Sequence, residues 1–294
     1  MKPLHLALVL LVNAVWGFSF IVAKVGVGEI PPILFAGLRF MFLAVLLAPL
    51  LRWHAGQMRY VVGIALFAGV LHFAMFFLAL ALGKNVSSIA VAVQLNVPFV
   101  AVLSVFWLGE EVRWRRWVGI ALAFGGVVYM GFEPALLDHL PALAAAVIGA
   151  FMIAVATIFM RKVTGVGVFE MQAWIAAISG PGLLLISAVF EHGQVEAVTG
   201  ADWRGWGAVA YTVLATSLMG HGGMYFLVQR YEASRIAPMM LLAPVIGVAS
   251  GVGLMGDELT PRMIAGGLVA ILGIMIITLR ERRLGVPAAP KVGP

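Results

Sequence analysis

Apolar residues occur along this chain in ten long runs, which short polar stretches separate. Each run is long enough to cross about 30 Å of hydrocarbon as an α-helix. The pattern therefore predicts an all-α integral membrane protein with ten transmembrane helices and no room for a soluble domain. The predicted spans are 4–23, 32–51, 60–82, 86–108, 115–132, 140–160, 168–190, 206–229, 235–255 and 262–280.

Two of these runs contain nearly the same short sequence. Residues 72–78 read HFAMFFL and residues 221–227 read HGGMYFL, with four identities in seven at an offset of 149. Later pairs follow in the same order at an offset of 147, namely Ile89-Ala90 with Ile236-Ala237 and Gly109-Glu110-Glu111 with Gly256-Asp257-Glu258. The chain is therefore predicted to be a duplicated five-helix unit, 1–133 and 134–283, followed by a disordered cytoplasmic tail, 284–294.

The Lys and Arg residues predict the orientation of the helices. With the N-terminus in the cytoplasm, fourteen of these residues fall on the cytoplasmic side and four on the outer side, with Arg39 inside a span. This bias follows the positive-inside rule and places both termini in the cytoplasm. Because five is an odd number, the second unit must insert upside down relative to the first. Inverted repeats are typical of alternating-access transporters, whose sites lie near the midplane between the repeats.

Composition supports the membrane prediction and excludes several other classes. The chain is 63% hydrophobic and 11% charged, whereas soluble domains carry about 25% charged residues. The net charge of +6 is explained by the positive-inside bias, so it does not indicate a nucleic-acid partner. Cysteine is absent, and no cofactor or metal site is predicted. The sequence contains no Walker-type phosphate-binding loop, so it does not imply an ATPase partner. The first apolar run is interpreted as a retained helix.

Ionisable side chains inside a membrane are candidates for function, and this chain has few. All thirteen Asp and Glu residues are predicted in loops or at helix ends, with Glu170 the deepest. His72 and His221 are then the only mid-span groups that titrate near neutral pH. They share helix faces with Phe76 and Tyr225 respectively, which suits a partly aromatic ligand and equally suits ordinary packing.

The fourth and ninth predicted helices each contain a proline near the same depth. Pro98 removes the hydrogen-bond partner of the Gln94 carbonyl, and Pro244 does the same for Met240. Freed carbonyls at membrane depth are tolerated where a neighbour or a cavity satisfies them. Pro98, Pro244 and the polar side chains of Gln94 and Asn96 are therefore candidates for the cavity wall, with a simple packing kink as the alternative.

Asn13 and Trp16 lie on one face of the first helix and are further cavity candidates, and Trp174 is a weaker one. Arg39 is interpreted as structural, paired with carbonyls or a polar neighbour. Small residues are expected at helix contacts. The candidate motifs are Gly247-xxx-Gly251, Ala121-xxx-Gly125 and Gly266-xxx-Ala270.

The chain resembles the drug/metabolite transporter superfamily, and within it the ten-helix transporters of the EamA type. The resemblance covers nearly the whole chain. It rests on Asn13-Ala-Val-Trp16-Gly17-Phe-Ser19-Phe, Gly37-Leu-Arg39-Phe40, Gly109-Glu110-Glu111, Trp117-Val-Gly119-Ile, Gly125-Gly126, Gly256-Asp257-Glu258-Leu-Thr-Pro261 and Gly266-Gly267. It implies a cavity lined by helices one, three, four, six, eight and nine, with helices five and ten bracing the periphery. The small multidrug exporters of the superfamily use a glutamate in their first helix, where this chain has Asn13 and Trp16, so carboxylate-based antiport is disfavoured.

The predicted function is secondary export of small neutral or zwitterionic metabolites across a bacterial inner membrane, with lipid as the only other partner. Amino acids are favoured, aromatic or hydrophobic ones first, because the family includes bacterial aromatic amino-acid exporters of the YddG type. Efflux of nucleosides, drugs or other metabolites is the alternative within transport. An intramembrane enzyme or a non-transporting receptor is a remote alternative, because the sequence offers no catalytic constellation and no extramembrane domain.

Overall fold

The computed structural model describes residues 2–109, 114–131, 139–231 and 236–280. Every regular element in these residues is helical, which confirms the all-helical class. We number the long helices α1 to α10 in chain order, and the short helix Gln194–Gly200 joins α7 to α8. They are α1 Pro3–Glu29, α2 Pro32–Leu47, α3 Met58–Leu82, α4 Val86–Leu108, α5 Trp114–Gly131, α6 Leu140–Met160, α7 Val168–Phe190, α8 203–230, α9 237–255 and α10 Pro261–Arg280.

Some of these ten helices are both long enough and apolar enough to cross a membrane. In the described residues, six helical segments meet both criteria: α1, α2 with its 3₁₀ extension to Leu50, α3, α4, α6 and α7. Shorter apolar segments occupy Met239–Met255 and Pro261–Ile277. That all ten helices cross the bilayer, and that both termini are cytoplasmic, stay predictions.

The first helix is longer than predicted. The hydrophobic run suggested an end at residue 23, but α1 continues to Glu29, so Lys24 lies within the helix and not in the following loop. Its Nζ donates hydrogen bonds to the carbonyls of Leu80 (2.6 Å) and Gly83 (2.7 Å). Both carbonyls lie at the end of α3, where no further helical turn supplies N–H groups to donate to them. A lysine can be accommodated within an apolar helix in this way, because its methylene chain packs against apolar side chains while its ammonium group donates to polar atoms.

Two helices contain π-helical turns, which the sequence did not predict. They occupy Ala65–Leu71 in α3 and Thr212–Gly220 in α8, and each ends directly before a histidine. Hydroxyl groups satisfy a carbonyl at the start of each: Ser179 Oγ donates to Ala65 O (3.2 Å), and Ser217 Oγ donates to Thr212 O (2.9 Å). Such turns occur frequently at functional sites because they rotate the following side chains relative to a regular helix.

The predicted irregularities in α4 and α9 are confirmed. A 3₁₀ turn occupies Val93–Leu95 before Pro98, and another occupies Ala237–Leu241 before Pro244. Both prolines are buried. The Asn96 side chain donates to the carbonyl of Val93 (2.9 Å), so its amide satisfies its own helix. The missing proline N–H groups and the tighter turns together divide each helix into two parts.

Glycine allows close contact between α5 and α10. A β-carbon on Gly126 would lie 2.5 Å from both Ala270 N and Gly266 O, which confirms the Gly266-xxx-Ala270 prediction. The Ala121-xxx-Gly125 prediction is wrong. A β-carbon on Gly125 would meet nothing within 4 Å, because the contact face of α5 passes through Gly126.

The α9 motif is also used for close approach. A β-carbon on Gly247 would lie 3.3 Å from the Phe20 ring of α1 and 3.5 Å from Ala90 of α4. One on Gly251 would lie 2.5 Å from an Asp257 carboxylate oxygen and 2.6 Å from Ser87 Oγ. The second glycine therefore makes room for a polar contact as well as for packing.

Candidate functional site

His72 is half-buried at the point where α3 leaves its π turns. Its Nδ1 lies 2.8 Å from the carbonyl oxygen of Gly149 in α6. Because a carbonyl only accepts hydrogen bonds, Nδ1 carries the proton, and in the neutral ring Nε2 is left as an acceptor. The ring stacks on Phe76, with centroids 6.0 Å apart and planes 22° apart. His72 is thus held in one orientation, and among the described residues no hydrogen bond to its Nε2 is present.

His221 occupies the corresponding position in α8 and faces α1. Its ring centroid lies 5.4 Å from that of Trp16, at an interplanar angle of 59°. The Trp16 indole N–H donates to the carbonyl of Thr216 (3.3 Å), a group within the π turns. Within the described residues no hydrogen bond to the His221 imidazole is present. Both ring nitrogens are therefore available to a ligand.

Arg39 is buried between these two histidine regions, with 3% of its surface exposed. Its Nη2 donates to Ser217 Oγ (3.1 Å), one helical turn before His221. Its guanidinium carbon lies 4.5 Å from the centroid of Phe73, the neighbour of His72. The polar neighbour expected for Arg39 is thus Ser217. None of its hydrogen bonds in the described part of the chain reaches a carbonyl.

These contacts define what we call the histidine cluster: Trp16, Arg39, His72, Phe73, Phe76, Ser217 and His221. Helices α1, α2, α3 and α8 supply its members. Phe76 also meets Phe20 of α1, with ring centroids 5.7 Å apart. The sequence pointed to four members, Trp16, His72, Phe76 and His221. It missed Ser217 and Phe73, and no local pattern marks a serine or phenylalanine in such an apolar chain.

The other predicted site residues lie apart from this cluster. Asn13 is fully buried, and its Nδ2 donates to the carbonyl of Val9 (2.8 Å) and lies 3.9 Å from the sulfur of Met240 in α9. Among the described residues, no hydrogen bond or ring contact joins Gln94, Asn96, Pro98 or Pro244 to the histidine cluster. The side chain of Tyr225 lies outside the described part of the structure.

Trp174 is positioned at a helix end. Its indole N–H donates to the carbonyl of Arg52 (2.9 Å), and its ring meets Trp53 with centroids 6.2 Å apart. Trp53 is exposed. Paired tryptophans beside an arginine are typical of a membrane–water interface, and we expect Trp174 to lie at one. In the described residues no hydrogen bond or ring contact joins it to the histidine cluster.

A second polar group lies where the ends of several helices meet. Asp257 is buried, and one of its carboxylate oxygens accepts from Ser87 N (2.7 Å) and from Ser87 Oγ (2.7 Å) at the start of α4. Asn85 Nδ2 donates to the carbonyl of Glu258 (3.3 Å). Lys24 supplies a favourable positive charge nearby. We call Lys24, Asn85, Ser87 and Asp257 the Asp257 cluster.

The prediction that every acidic residue lies in a loop or at a helix end holds for Asp257, but the burial of its side chain was not predicted. Asp257 lies in the loop between α9 and α10. Its charge is stabilised by the backbone N–H and the hydroxyl of Ser87 in the first turn of α4, and by Lys24. Gly256-Asp257-Glu258 is one copy of the repeated motif, and that repetition is the sequence signal for this residue. Its counterparts Glu110 and Glu111 lie outside the described residues.

At the opposite end of the helices, loops from the two halves of the chain are joined by other polar contacts. His54 Nε2 lies 2.8 Å from a carboxylate oxygen of Glu170. Gln57 exchanges two hydrogen bonds with the backbone of Thr164, at 3.2 Å and 2.8 Å. Glu170 is thus at the entry to α7, as predicted. In the described residues no three metal-binding side chains cluster.

Known proteins resemble this chain over nearly its full length. A "Probable amino-acid metabolite efflux pump" of Escherichia coli strain K12 is 30% identical over 92% of this chain and 93% of its own length. The protein of the same name from Salmonella typhimurium gives the same identity and coverage. The "Uncharacterized inner membrane transporter YedA" of Escherichia coli strain K12 is 27% identical over 95% of this chain and 92% of its own length.

A solved structure described as "Crystal structure of protein" has the same fold, with a TM-score of 0.64 over 97% of this chain and 99% of that chain, at 19% identity. The model of the EamA-like transporter family matches this chain twice, over residues 4–132 and 140–279. Together the two matches cover almost all of the sequence. This chain belongs to the EamA-like transporter family.

Proposed function

We propose that this protein exports amino acids, aromatic and hydrophobic ones first, by alternating access of two inverted five-helix units. The observation that carries the proposal is the histidine cluster, in which side chains from both halves meet. Two π-interrupted helices at matching positions supply its histidines. The efflux pumps that resemble this chain are named for amino-acid metabolites.

Members of the family and the relatives named above are transporters, so this protein is a metabolite transporter and not an enzyme. Its apolar helices make it a multi-pass protein of the inner membrane. The substrate class and the mechanism are the parts that we propose.

The two family matches, 4–132 and 140–279, support the division into two units. In the proposed inverted repeat, α3 of the first unit corresponds to α8 of the second. Each then contains π turns followed by a histidine, and α4 and α9 each contain a 3₁₀ turn before a proline. Sites between repeats are typical of transporters that rock one unit against the other.

The chemistry of the cluster suits an amino acid with a large side chain. The unused Nε2 of His72 is an acceptor for an ammonium group. The rings of Trp16 and Phe76 offer aromatic surfaces for an apolar or aromatic side chain. In the proposed topology, the Asp257 cluster lies on the outer side, where it joins α1, α4 and the loop before α10. We propose that it closes the outer side and must separate to release substrate.

The two histidines provide the direct test of this function. His72→Ala and His221→Ala are each expected to reduce counterflow of labelled phenylalanine or leucine in proteoliposomes by roughly tenfold, the effect of losing one hydrogen bond of about 1.5 kcal/mol to a charged group. The matched control is His192→Ala, because His192 is exposed at the end of α7. Equal transport per folded molecule by all three variants would make the cluster histidines structural.

The competing substrate classes are nucleosides and cationic drugs. A thermal-shift screen of the purified protein against amino acids, nucleosides and cationic drugs separates the three classes, because a ligand that binds only the folded state raises its melting temperature. We expect a rise with hydrophobic amino acids. A rise with nucleosides or drugs alone, without exchange of any amino acid, would contradict the proposal.

A further inference from the structure

Arg39 is a buried cation for which the described residues supply no acidic partner. It is 3% exposed, and the ion pair between His54 and Glu170 does not involve it. One of its nitrogens donates to Ser217 Oγ, and its Nε is buried without a hydrogen-bond partner. A guanidinium has five N–H donors. Within the described residues, Ser217 Oγ is therefore its one hydrogen-bond acceptor, and the Nε–H group is left unsatisfied.

Burial of such a group is unfavourable unless something offsets it. Removing an ion from water costs several kcal/mol even after the protein relaxes, and a hydroxyl partner does not replace the lost charge interaction. The faces of Phe73 and Phe40, 4.5 Å and 5.3 Å from the guanidinium carbon, recover part of this as cation–π attraction. Neither ring supplies a negative charge or the acceptor that Nε lacks among the described residues. An anion would supply both.

The position of Arg39 indicates which anion. Its guanidinium lies within electrostatic range of both His72 and His221, and Ser217 places it one turn from His221. It is thus inside the cluster that we propose for the solute. Lys24, which lies within α1, already donates hydrogen bonds to two carbonyls. One available guanidinium balances one negative charge, which matches a carboxylate and leaves a phosphate dianion under-compensated.

We propose that Arg39 binds the carboxylate of the exported solute, so that the substrate class is monocarboxylates such as α-amino acids. The inference rests on the proposed function and specifies its site. The planar guanidinium can donate to both oxygens of a carboxylate side by side. In the same site, His72 Nε2 accepts from the ammonium group, and the aromatic rings contact the side chain. Phe73 and Ser217 are positioning residues, because they hold the guanidinium and do not contact the solute.

The unmodified protein can test this directly with matched ligand pairs. Phenylalanine is compared with phenylalaninamide, and leucine with leucinamide, at pH 6.5, where the amines of all four are charged. Binding is measured by thermal shift and by displacement of labelled phenylalanine. We expect each acid to bind roughly 10- to 100-fold more tightly than its amide, the range for one charge-assisted hydrogen-bond pair.

Three results would overturn the inference in distinguishable ways. Equal binding of acid and amide would show that no carboxylate is recognised, while leaving amino-acid export intact. Absence of binding and of counterflow for all four ligands would overturn the proposed function, and the carboxylate site with it. Inorganic phosphate competing as well as phenylalanine would replace the carboxylate with a phosphate site.

Variants locate the effect at Arg39. In Arg39→Gln the preference for acid over amide should disappear, and in Arg39→Lys it should be partly retained, because a lysine keeps the charge without the planar donor pair. Arg204→Gln is the control, since Arg204 is exposed at the start of α8. If Arg39→Gln does not fold, Ser217→Ala takes its place and should weaken the preference without abolishing it. An unchanged preference in folded Arg39→Gln would overturn the assignment.

Discussion

Gly126→Val is expected to reduce strongly the amount of correctly folded protein in the membrane. The substituted β-carbon would lie 2.5 Å from two backbone atoms of α10, Ala270 N and Gly266 O. Backbone cannot move aside as a flexible side chain does, so α5 and α10 would have to separate. Overpacking in a well-packed interior costs about 3 kcal/mol when it cannot be relieved, and membrane helices associate largely through such close contacts. Folded yield is measured as the monodisperse fraction after detergent extraction, together with its melting temperature.

The neighbouring glycine provides the control for this prediction. Gly125→Val adds the same side chain one residue away, where a β-carbon meets nothing within 4 Å. Its folded yield should match that of the unmodified protein. Equal losses in both variants would indicate a general intolerance of α5 to valine, and equal retention would show that the α5–α10 contact contributes little to stability.

Asp257→Asn is expected to expose the interior of the protein to the outer side. The substitution keeps the shape of the side chain but removes the charge that accepts two hydrogen bonds from Ser87 and that attracts Lys24. Hydrogen bonds to a charged group contribute about 1.5–3 kcal/mol each. Loss of one such contribution from the outward-closed state alone would raise the outward-open population by roughly tenfold or more.

Because the protein has no cysteine, the outward-open population can be measured with a single added thiol. Thr216→Cys places this thiol beside Trp16, whose indole donates to the Thr216 carbonyl. The Thr216 hydroxyl has no hydrogen-bond partner among the described residues, so the substitution removes none of the described bonds. A membrane-impermeant maleimide added from outside should then label the Asp257→Asn background roughly tenfold faster than the parent.

Glu258→Gln is the matched control for Asp257→Asn, because Glu258 is adjacent in sequence but exposed. Its labelling rate should equal that of the parent. Unchanged labelling in Asp257→Asn, with normal folded yield, would contradict the role of the Asp257 cluster in closing the outer side. Faster labelling in both variants would indicate a general loosening of the loop between α9 and α10.

The apolar runs placed the helices well, because every turn of a membrane helix must exclude charge over a length set by the bilayer. The ends of most described helices lie close to those predicted. The main miss, at the end of α1, has a specific cause. Lys24 reads as a stop signal in sequence, and only its two carbonyl partners at the end of α3 explain why the helix continues.

The candidate site was predicted through its rare residues. Histidine, tryptophan and proline are conspicuous in an apolar helix, so His72, His221, Trp16 and the prolines of α4 and α9 could be selected from the sequence. Periodicity could not rank the faces of these helices, because lipid and protein interior are equally apolar and a buried stripe looks like a lipid-facing one. Gly125 and Gly126 show the consequence. The sequence motif selected the first, and the contact uses the second.

The sequence by itself determined that this protein is a helical membrane transporter of recognisable family, with histidines and prolines at repeated positions. Only the tertiary structure decided which side chains act together. Arg39 and Ser217 are 178 residues apart, and Ser87 and Asp257 are 170 apart. Such pairs depend on the packing of several helices and on π turns that rotate their faces. That is why the buried guanidinium of Arg39, with Ser217 as its one hydrogen-bond acceptor among the described residues, could be identified only in the folded chain.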